Sequence, residues 1–457
     1  MSTVNQPQLE TTLQADVTAL TVNSSTRDIL MTAVGVANFS TDRKFFVACS
    51  SALPDLYTTS VTDGQIVFVN DIKTPVIASR DQWIGLDGRL LRNDAAVQAV
   101  WTWGDNSQGR LGDNSSTTVS KSSPVSVVGG FTNWCQVSAG RCHTAAVRTN
   151  GTIWTWGDNS QGRLGDNTTV AKCSPVSVVG GFTDWCQISA GFTQTAAIRT
   201  TGTLWTWGCN NQGQLGDNTI VSKSSPVSVV GGFTDWCQVS TAREFTVALR
   251  TNGTIWTWGY NSFGRLGDNT TVAKSSPVSV VGGFTDWSQI SAVQFHTVAL
   301  RTNGTIWTWG SGGEGRLGDN SGANKSSPVS VVGGFTDWCG VSAGGAHTAA
   351  VRTNGTLWSW GCNNCGQLGH NNTVSRSSPV SVVGGFTDWC QVSAGYQHTA
   401  AVRTNGTLWV WGDAGQGRLG DNTVGNKSSP VSISGGFTNW CQVSASSNHT
   451  AALRICR

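Results

Sequence analysis

Charge is scarce in this chain of 457 residues: only 12% are Asp, Glu, Lys or Arg, and the formal net charge is +3. Such weak, dispersed charge excludes the basic stripe that holds nucleic acid, and residues 1–26 carry no Lys or Arg. No apolar run approaches the roughly 18 residues of a membrane span. A charged and then apolar leader is also missing, so we expect neither a standard secretory signal nor membrane insertion.

Glycine, by contrast, is abundant, with 56 residues in the chain. Together with the low charge, this composition favours short strands and tight turns over helices. One stretch, GTIWTWGDNSQGRLGDNTTVAKCSPVSVVGGFTDWCQISAG at 151–191, recurs with few changes. The glycines of its Trp-Gly pair are Gly104, Gly157, Gly208, Gly259, Gly310, Gly361 and Gly412. Seven copies of a strand-rich unit predict a repeat array.

Each copy contains four strand candidates, which we name A, B, C and D. In the second copy they are 134–139, 143–149, 152–157 and 175–179. Asn150-Gly151 joins B to C with a strong hairpin signal. The array begins with a C strand (96–104) and ends with a B strand (449–457), so pairing its two ends completes a seventh sheet. We therefore predict an all-β fold, a seven-bladed β-propeller closed by strands from both ends of the array.

Tryptophan and cysteine follow the repeat. Trp154 and Trp156 alternate with smaller residues, which places both indoles on one face of strand C to pack between blades. One repeat position holds six of the thirteen cysteines: Cys135, Cys186, Cys237, Cys339, Cys390 and Cys441. Equivalent positions in neighbouring sheets lie about 10 Å apart, beyond the ~7 Å limit for a disulfide. We expect buried small thiols instead.

Residues 1–95 do not repeat, and we treat them as a separate, small, mostly β domain that precedes the propeller of residues 96–457. Strands are predicted at 44–50, 65–71, 75–79 and 82–92, the last with a hairpin at Asp87-Gly88. A short helix is predicted within 24–37, where apolar residues approach helical spacing.

The pattern VSAG-xx-HT-x-A-x-R-xx-G-x-(I/L)WTWG-xx-xxG-x-LG…P, present over residues 96–457, resembles the repeat of the regulator of chromosome condensation family. The resemblance implies a seven-bladed propeller. It also implies three functional classes: guanine-nucleotide exchange factors, plant ultraviolet photoreceptors and secreted bacterial inhibitors of β-lactamase.

Two of these classes fit the chain poorly. Exchange-factor members carry an inserted wedge, but the repeat spacing here changes by at most two residues and leaves no room for one. Photoreceptor members place tryptophans just before the His-Thr of strand B, where this chain has none. No catalytic set of side chains emerges outside the repeat, so we expect neither an enzyme nor a cofactor.

Three other motifs have alternative interpretations. Cys362-x-x-Cys365 with His370 contains zinc-ligand types but lacks a fourth ligand, and metal binding there is left open. The first position of strand B is histidine in most copies but Phe245 in one. Because the position accepts phenylalanine, a structural role is favoured for these histidines over a catalytic one. The arginines that end strand B form a sevenfold set that would suit an anion, but we expect them to pair with aspartates of the D–A loops instead; these are Asp184, Asp235, Asp286, Asp337 and Asp388.

Differences between the copies fall mainly in the A–B and C–D loops, which an up-and-down blade places on one face. A face whose loops vary, while the loops of the opposite face stay constant, is typical of a binding surface. Aromatic and Arg residues are favoured anchors of interfaces. We predict that the partner-binding residues are Arg141, Phe192, Arg243, Phe245, Tyr260, Phe263, Phe295 and Tyr396.

The stretch QIVFVNDIKTPVIASRDQWIGLDGRLLRND (65–94) is similar to connector segments of marine bacteriophage virion and tail proteins. This resemblance implies that residues 1–95 dock onto other virion proteins, as a tail, fibre or decoration component made in the host cytoplasm. The propeller face would then contact a host surface protein or glycan. A small-GTPase regulator and a bacterial enzyme inhibitor are the alternatives, and self-association is left open.

Overall fold

The computed structural model describes seven short strands between residues 20 and 91 and, from residue 97 to residue 456, all of the chain except residues 116–118. The chain divides into two units, Met1–Ala96 and Val97–Arg457. Every described element is a strand apart from three single-turn 3₁₀ helices at Ser107–Gly109, Gly313–Gly315 and Gly415–Gly417. The predicted all-β class is therefore confirmed. Within the described ranges, no helix has the length and apolar character needed to cross a bilayer.

The first unit contains two sheets. β1 (Leu20–Asn23) pairs with β2 (Asp28–Met31), and a second sheet runs in the order β3 (Phe45–Ala48), β4 (Ile66–Val69), β5 (Thr74–Ser79), β6 (Gln82–Gly85) and β7 (Leu90–Leu91). β3 is parallel to β4, and the other neighbours are antiparallel. The helix predicted within 24–37 is wrong, because β2 lies there and its pairing with β1 outweighs a weak helical spacing. Asp87-Gly88 lies outside the described residues.

Seven four-stranded antiparallel sheets, or blades, form the second unit, each in the order A-B-C-D. Blade 1 comprises β10 (Trp134–Ala139), β11 (His143–Arg148), β12 (Ile153–Gly157) and β13 (Lys172–Ser177). Blade 2 comprises β14 (Trp185–Ala190), β15 (Gln194–Arg199), β16 (Leu204–Gly208) and β17 (Lys223–Ser228), and blade 3 comprises β18 (Trp236–Thr241), β19 (Phe245–Arg250), β20 (Ile255–Gly259) and β21 (Lys274–Ser279). Blade 4 comprises β22 (Trp287–Ala292), β23 (His296–Arg301), β24 (Ile306–Gly310) and β25 (Lys325–Ser330), and blade 5 comprises β26 (Trp338–Ala343), β27 (His347–Arg352), β28 (Leu357–Gly361) and β29 (Arg376–Ser381). Blade 6 comprises β30 (Trp389–Ala394), β31 (His398–Arg403), β32 (Leu408–Gly412) and β33 (Lys427–Ser432).

Blade 7 joins the two ends of the array. Its A and B strands are β34 (Trp440–Ala445) and β35 (His449–Cys456), and its C and D strands are β8 (Val97–Gly104) and β9 (Lys121–Ser126). β35 pairs with β8 from His449 opposite Gly104 to Cys456 opposite Val97. In blade 1 the same pairing runs only from His143 opposite Gly157 to Val147 opposite Ile153. The predicted closure is confirmed, and a longer ladder replaces the covalent B–C turn.

Apolar clusters at the blade–blade junctions form the core of the propeller. Between blades 1 and 2, Ala145 and Ile153 of one blade pack against Trp185 and Trp207 of the next. The second indole of every C strand is 0% exposed, as the alternation predicts; these are Trp103, Trp156, Trp207, Trp258, Trp309, Trp360 and Trp411. Truncating a buried indole of this kind to Ala costs roughly 3–5 kcal/mol.

Strand A is the inner edge of each blade, and side chains of the preceding blade cap its amides. Gln136 accepts a hydrogen bond from the N–H of Ile188 at 2.8 Å, and Ser138 accepts one from Ala190 at 2.9 Å. The glutamines that act this way are Gln136, Gln187, Gln238, Gln289, Gln391 and Gln442. Gly340 occupies the position in blade 5. These bonds satisfy edge amides that would otherwise lack an acceptor.

The repeated cysteine position is a β-bulge. The ladder between β10 and β11 shifts register between Trp134 and Gln136, which leaves Cys135 as the extra residue. Five of the six cysteines are exposed and Cys441 is partly buried, so the prediction of buried thiols is wrong. The strict alternation of side chains between the two faces of a strand fails at a bulge. The extra residue therefore lies outside the core. None of the eleven described cysteines forms a disulfide.

A candidate partner-binding face

Loops at opposite ends of the blades form two faces. Asp158 of a C–D loop donates its backbone N–H to the carbonyl of Cys142 in an A–B loop at 2.9 Å, so these loops lie together. At the other end, Trp185 donates to the carbonyl of Gly151 in a B–C turn at 3.0 Å. We call the first end the variable face. It consists of residues 105–115, 140–142, 158–171, 191–193, 209–222, 242–244, 260–273, 293–295, 311–324, 344–346, 362–375, 395–397, 413–426 and 446–448.

A buried asparagine fixes the shape of most C–D loops. Asn159 is 0% exposed, accepts a hydrogen bond from the N–H of Leu164 at 3.0 Å and donates to Asp166 at 2.9 Å. Asn210 and Asn261 repeat both bonds in blades 2 and 3. Because this framework lies below the surface, the loop tips can change without altering the course of the backbone.

An arginine in the C–D loop connects each of three blades to its neighbour. In blade 1, Arg163 forms an ion pair with Asp158 at 3.0 Å and donates from Nη1 to the carbonyl of Phe192 in blade 2 at 3.2 Å. The same ion pair joins Arg110 to Asp105 at 3.0 Å and Arg418 to Asp413 at 2.9 Å. All three guanidinium groups are almost fully buried and carry a counter-charge from their own loop.

Blades 2 and 5 lack both charges. Gln214 and Gln367 replace the arginine and are 0% exposed, while Cys209 and Cys362 replace the aspartate. A buried charge and its partner are therefore removed together, which avoids leaving either one unpaired.

Blades 3 and 4 keep the arginine but have lost the aspartate. Tyr260 and Ser311 stand at the acidic position, while Arg265 is 2% exposed and Arg316 is 7% exposed. Neither arginine forms an ion pair within the described part of the chain. Burial lowers the pKa of Arg265 to about 10 and also lowers the pKa of Arg316. A guanidinium is not deprotonated in proteins, so both side chains are cationic at neutral pH.

Aromatic rings surround Arg265. Its guanidinium carbon lies 4.8 Å from the ring centre of Tyr260, 5.3 Å from that of Phe263 and 5.6 Å from that of Phe245. Nη1 donates to the carbonyl of Gln294 at 2.9 Å. Cation–π contacts of this kind strengthen when the cation is removed from water. Three rings therefore take the place of the missing carboxylate.

Arg316 has fewer partners. Its Nε donates to the carbonyl of Gly313 at 2.7 Å, and its guanidinium carbon lies 4.9 Å from the ring centre of Phe295. Its two terminal nitrogens have no hydrogen-bond partner among the described residues. Glu314 is exposed, and its carboxylate accepts a hydrogen bond from Ser375 at 3.3 Å.

Two phenylalanines join these arginine environments. The rings of Phe263 and Phe295 are 6.5 Å apart at 71°, an edge-to-face contact between blades 3 and 4. Phe263 is 38% exposed and is the single aromatic residue among the large, well-exposed apolar side chains of the described ranges. Tyr260 and Phe295 are partly buried. The variable face thus concentrates aromatic and cationic groups at one place.

The remaining predicted contact residues are dispersed. Arg141 is exposed and lies over Phe192 at 5.4 Å, and Phe192 itself is 7% exposed. The Arg243 side chain is 43% exposed and lies 3.9 Å from Glu244.

Tyr396 is partly buried, whereas Phe245 is 0% exposed and belongs to the core between blades 3 and 4. Phe245 therefore offers no contact surface in this structure. Arg265 and Arg316 were not among the predicted residues, although an arginine retained without its aspartate is a signal that the repeat itself contains.

Buried histidines form a belt beneath the A–B loops. Nε2 of His143 lies 2.8 Å from the hydroxyl of Thr195 in the next blade. That hydroxyl donates to the carbonyl of Arg163 at 2.8 Å, so the imidazole must be the donor and Nδ1 carries no proton. Burial lowers the pKa of His347 to about 3, with a smaller contribution from the charge of Arg316. The histidines of this belt, each 0% exposed, are His143, His296, His347, His398 and His449, which supports the predicted structural role.

The cysteine and histidine residues of blade 5 do not converge. His370 uses Nε2 on the hydroxyl of Ser359 at 3.0 Å and lies 3.3 Å from the carbonyl of Val380. Cys362 is buried and Cys365 is partly buried. Within the described ranges, no three His, Cys, Asp or Glu side chains form a cluster that would hold a metal ion.

A cavity of about 50 Å³ lies where the inner strands end, lined by residues such as Gly140, Gly191, Val293 and Ser446. A space of this size holds no more than a few water molecules. The cavity is therefore too small for an organic ligand.

On the opposite face, arginine and aspartate pair as predicted. Arg199 contacts Asp184 at 2.8 Å, and blades 3 to 6 repeat the pair. Each guanidinium also lies over a phenylalanine, as Arg199 does over Phe182 at 4.1 Å. These arginines are occupied within their own blade and do not form an open anion site.

A sequence profile of the RCC1-like domain matches residues 94–337 and 176–455, two overlapping stretches that together span the propeller. The chain belongs to the RCC1-like domain family. Among RCC1-like relatives, the ultraviolet-B receptor UVR8 of Arabidopsis thaliana is 28% identical over an alignment of 335 residues that covers 70% of this chain and 74% of that protein. The human E3 ubiquitin-protein ligase HERC2 is 26% identical over 77% of this chain, but the chain spans only 8% of HERC2.

Solved RCC1-like structures show the same fold. Prp20p of Saccharomyces cerevisiae superimposes with a TM-score of 0.71 and 19% identity, covering 79% of this chain and 92% of Prp20p. Human WBSCR16 gives a TM-score of 0.70 and 19% identity, covering 78% of this chain and 99% of that one. The predicted family and the seven-bladed propeller are therefore confirmed.

Proposed function

We propose that the chain is a non-enzymatic binding propeller whose variable face holds a protein partner at blades 3 and 4. The supporting observation is the concentration of Phe263, Phe295 and two buried arginines without acidic partners at one site. Aromatic and Arg residues are the side chains most enriched where interfaces carry their binding energy. The family fits this role, since Prp20p was described together with its binding properties to Gsp1p and histones.

Residues 1–95 have a separate part in the proposal. Their resemblance to virion proteins rests on residues 65–94 of the sequence, and docking onto a bacteriophage particle therefore stays a prediction. In that setting the bound partner is a host surface protein or glycan. Mass spectrometry of purified particles checks this placement, and absence of the protein from the particles contradicts it.

A crosslinking experiment tests the binding face. Benzoylphenylalanine placed at Phe263 reports proteins on the variable face, and the same probe at Asn252 reports the B–C turn of the same blade on the opposite face. We expect a specific crosslinked protein from position 263 alone, in extracts of the source cells. Equal crosslinking from both positions contradicts the proposal.

A matched double variant gives the second arm of this test. Phe263→Gln copies Gln108 and Gln161 at the same loop position, and Phe295→Ala copies Ala346. Because both replacements are native to sister blades, we expect a folded protein whose melting temperature falls only slightly, through the lost ring contacts with Arg265 and Arg316, and at least a tenfold loss of partner affinity. Tyr260 is left in place because its ring covers Arg265. Capture of a nucleotide-free GTPase would instead favour the exchange-factor class, and capture of a hydrolase the inhibitor class.

A further inference from the structure

Arg316 differs from the other arginines at its repeat position. Arg110, Arg163 and Arg418 each have an aspartate within 3.0 Å, supplied by their own loop. Arg265 is enclosed by three aromatic rings. Arg316 has one backbone acceptor and one ring, and its terminal nitrogens are unoccupied among the described residues.

This arrangement is unfavourable for the propeller alone. A largely buried guanidinium without an ion pair is poorly compensated for the hydration it loses. The two terminal nitrogens of Arg316 are not among the buried polar atoms that lack a hydrogen-bond partner, so they are open to solvent and to a ligand. The repeat contains a neutral solution, since Gln214 and Gln367 fill the same position without any exposed surface. Blade 4 nevertheless keeps the guanidinium and replaces its aspartate with Ser311, which carries no charge and forms no hydrogen bond with Arg316 among the described contacts.

We infer that Arg316 receives a carboxylate from the bound protein, an Asp or Glu side chain of an acidic segment. That carboxylate would occupy the place that Asp105, Asp158 and Asp413 fill in their own loops. A guanidinium binds a carboxylate through two parallel N–H donors, so two free terminal nitrogens suit this ligand. The inference rests on the proposed function, which it deepens by naming the chemistry of the partner.

The surroundings of Arg316 fit such a segment. Phe295 stacks against the guanidinium, and Phe263 contacts Phe295 and extends the apolar wall toward solvent. An acidic residue of the partner would therefore place its carboxylate on Arg316. The apolar residues beside it in the partner segment would pack on the rings of Phe263 and Phe295.

Three other polar groups act electrostatically on the guanidinium, namely Cys362, Glu314 and Tyr396. Glu314 is the local carboxylate that could compete with the ligand, but it is exposed and bonded to Ser375. Its neutral variant, Glu314→Gln, therefore removes a competitor and should strengthen binding of an acidic peptide.

Fluorescence polarisation with the full chain tests the inference. The probes are fluorescein-labelled hexa-aspartate and, for comparison, hexa-asparagine peptides. We expect the wild-type chain to bind the aspartate peptide and not the asparagine peptide. Ser311→Asp, which restores the internal partner, and Arg316→Gln, which copies Gln367, should each weaken binding about tenfold or more.

The matched control is the double variant Asp158→Cys with Arg163→Gln, which gives blade 1 the charge-free pair of blade 2. Its binding should equal that of the wild type. Ser311→Asp should also raise the melting temperature, because it completes a buried ion pair, and this readout needs no ligand.

Two results would overturn the inference: no binding of the aspartate peptide, or binding that is unchanged in Ser311→Asp and Arg316→Gln. Neither result touches the proposed function, which the crosslinking from Phe263 decides separately. If Phe263→Gln with Phe295→Ala abolishes partner capture while Ser311→Asp keeps it, the binding face stands and the carboxylate site falls.

Discussion

At the residue scale, the seven blades form a set of natural substitutions on one backbone. At a single pair of positions the chain carries Arg163 with Asp158, Gln214 with Cys209, and Arg265 with Tyr260. The first pair is charged and the second is neutral, and in the third the rings of three aromatic residues surround the charge. The charge is balanced in the first pair, absent in the second and faced by aromatic rings in the third, so the exception at Arg316 is informative.

The histidine belt predicts acid sensitivity. A buried imidazole whose folded pKa lies below its unfolded value binds fewer protons in the native state, so stability is lost as the pH falls below about 6.5. For His347, with a folded pKa of about 3, the loss reaches about 2 kcal/mol at pH 5. Urea denaturation at pH 7 and pH 5 measures it.

His347→Gln is the control for this prediction, because Gln194 fills the same position in blade 2 and donates to the carbonyl of Phe245 at 3.2 Å. The variant should lose less stability between pH 7 and pH 5 than the wild type does. An identical pH dependence in both proteins would argue against a neutral, buried His347.

Residue-level features could be predicted only where they follow the pattern of the repeat. The buried indole of Trp156 follows from alternation along strand C. Cys135 does not, because the bulge beside it breaks the alternation, and sequence spacing carries no sign of a bulge. Phe245 was expected on the surface with its variable neighbours, yet it begins strand B and points into the core.

At the element scale, each blade depends on the side chains of its neighbour. Strand A has no partner strand on its inner side, and its amides are capped by Gln and Ser side chains of the preceding blade. Blade 6 is the exception, since Gly340 of blade 5 cannot accept a hydrogen bond from the N–H of Val392. Val392 is also less buried than its counterparts Ile188 and Val239.

Gly340→Gln should stabilise the propeller. The new side chain supplies the acceptor that Val392 lacks, and a Cβ at this position would lie 3.7 Å from the side chain of Val351, an ordinary contact. The expected gain in unfolding free energy is roughly 1–2 kcal/mol, measured by the urea midpoint. Gln289→Gly, the reverse change in blade 4, should lose a similar amount, and a neutral result for both would discount the capping bonds.

Strands and turns could be predicted from the sequence where the turn residues and the pairing of neighbouring strands favour the same structure. Asn150-Gly151 sets a tight turn, and strands B and C follow on either side. Strand D begins earlier than expected, because Lys172 pairs with Gly157 beyond an irregularity that the sequence does not signal. The prediction of a helix within 24–37 was wrong because the spacing of apolar residues carries no information on the pairing between β1 and β2.

At the scale of the whole molecule, closure of the ring rests on one non-covalent ladder between β35 and β8. Ala451 and Leu453 of β35 also contribute to the apolar cluster with Trp134 and Trp156. Losing this strand therefore removes both a sheet partner and part of a core, and it leaves the edge of β8 unpaired.

Deletion of residues 449–457 should open the ring. We expect the truncated chain to self-associate through the free edge and its tryptophan emission to shift to longer wavelength, as indoles near Trp134 become hydrated. Light scattering coupled to size exclusion, together with fluorescence spectra, provides the measurements. A monodisperse monomer with the spectrum and melting temperature of the full chain would show that closure contributes little.

The split of blade 7 also orders events during synthesis. The ribosome delivers Val97–Gly104 before any other strand of the propeller, yet its partner His449–Cys456 comes last among the described strands. Six blades can form while translation proceeds, but the hydrogen-bonding edge of the first strand must wait until residues 449–456 have been made. A nascent chain stalled before residue 449 would therefore expose the unpaired edge of Val97–Gly104, and synthesis of the last described strand is what turns the propeller into a closed body.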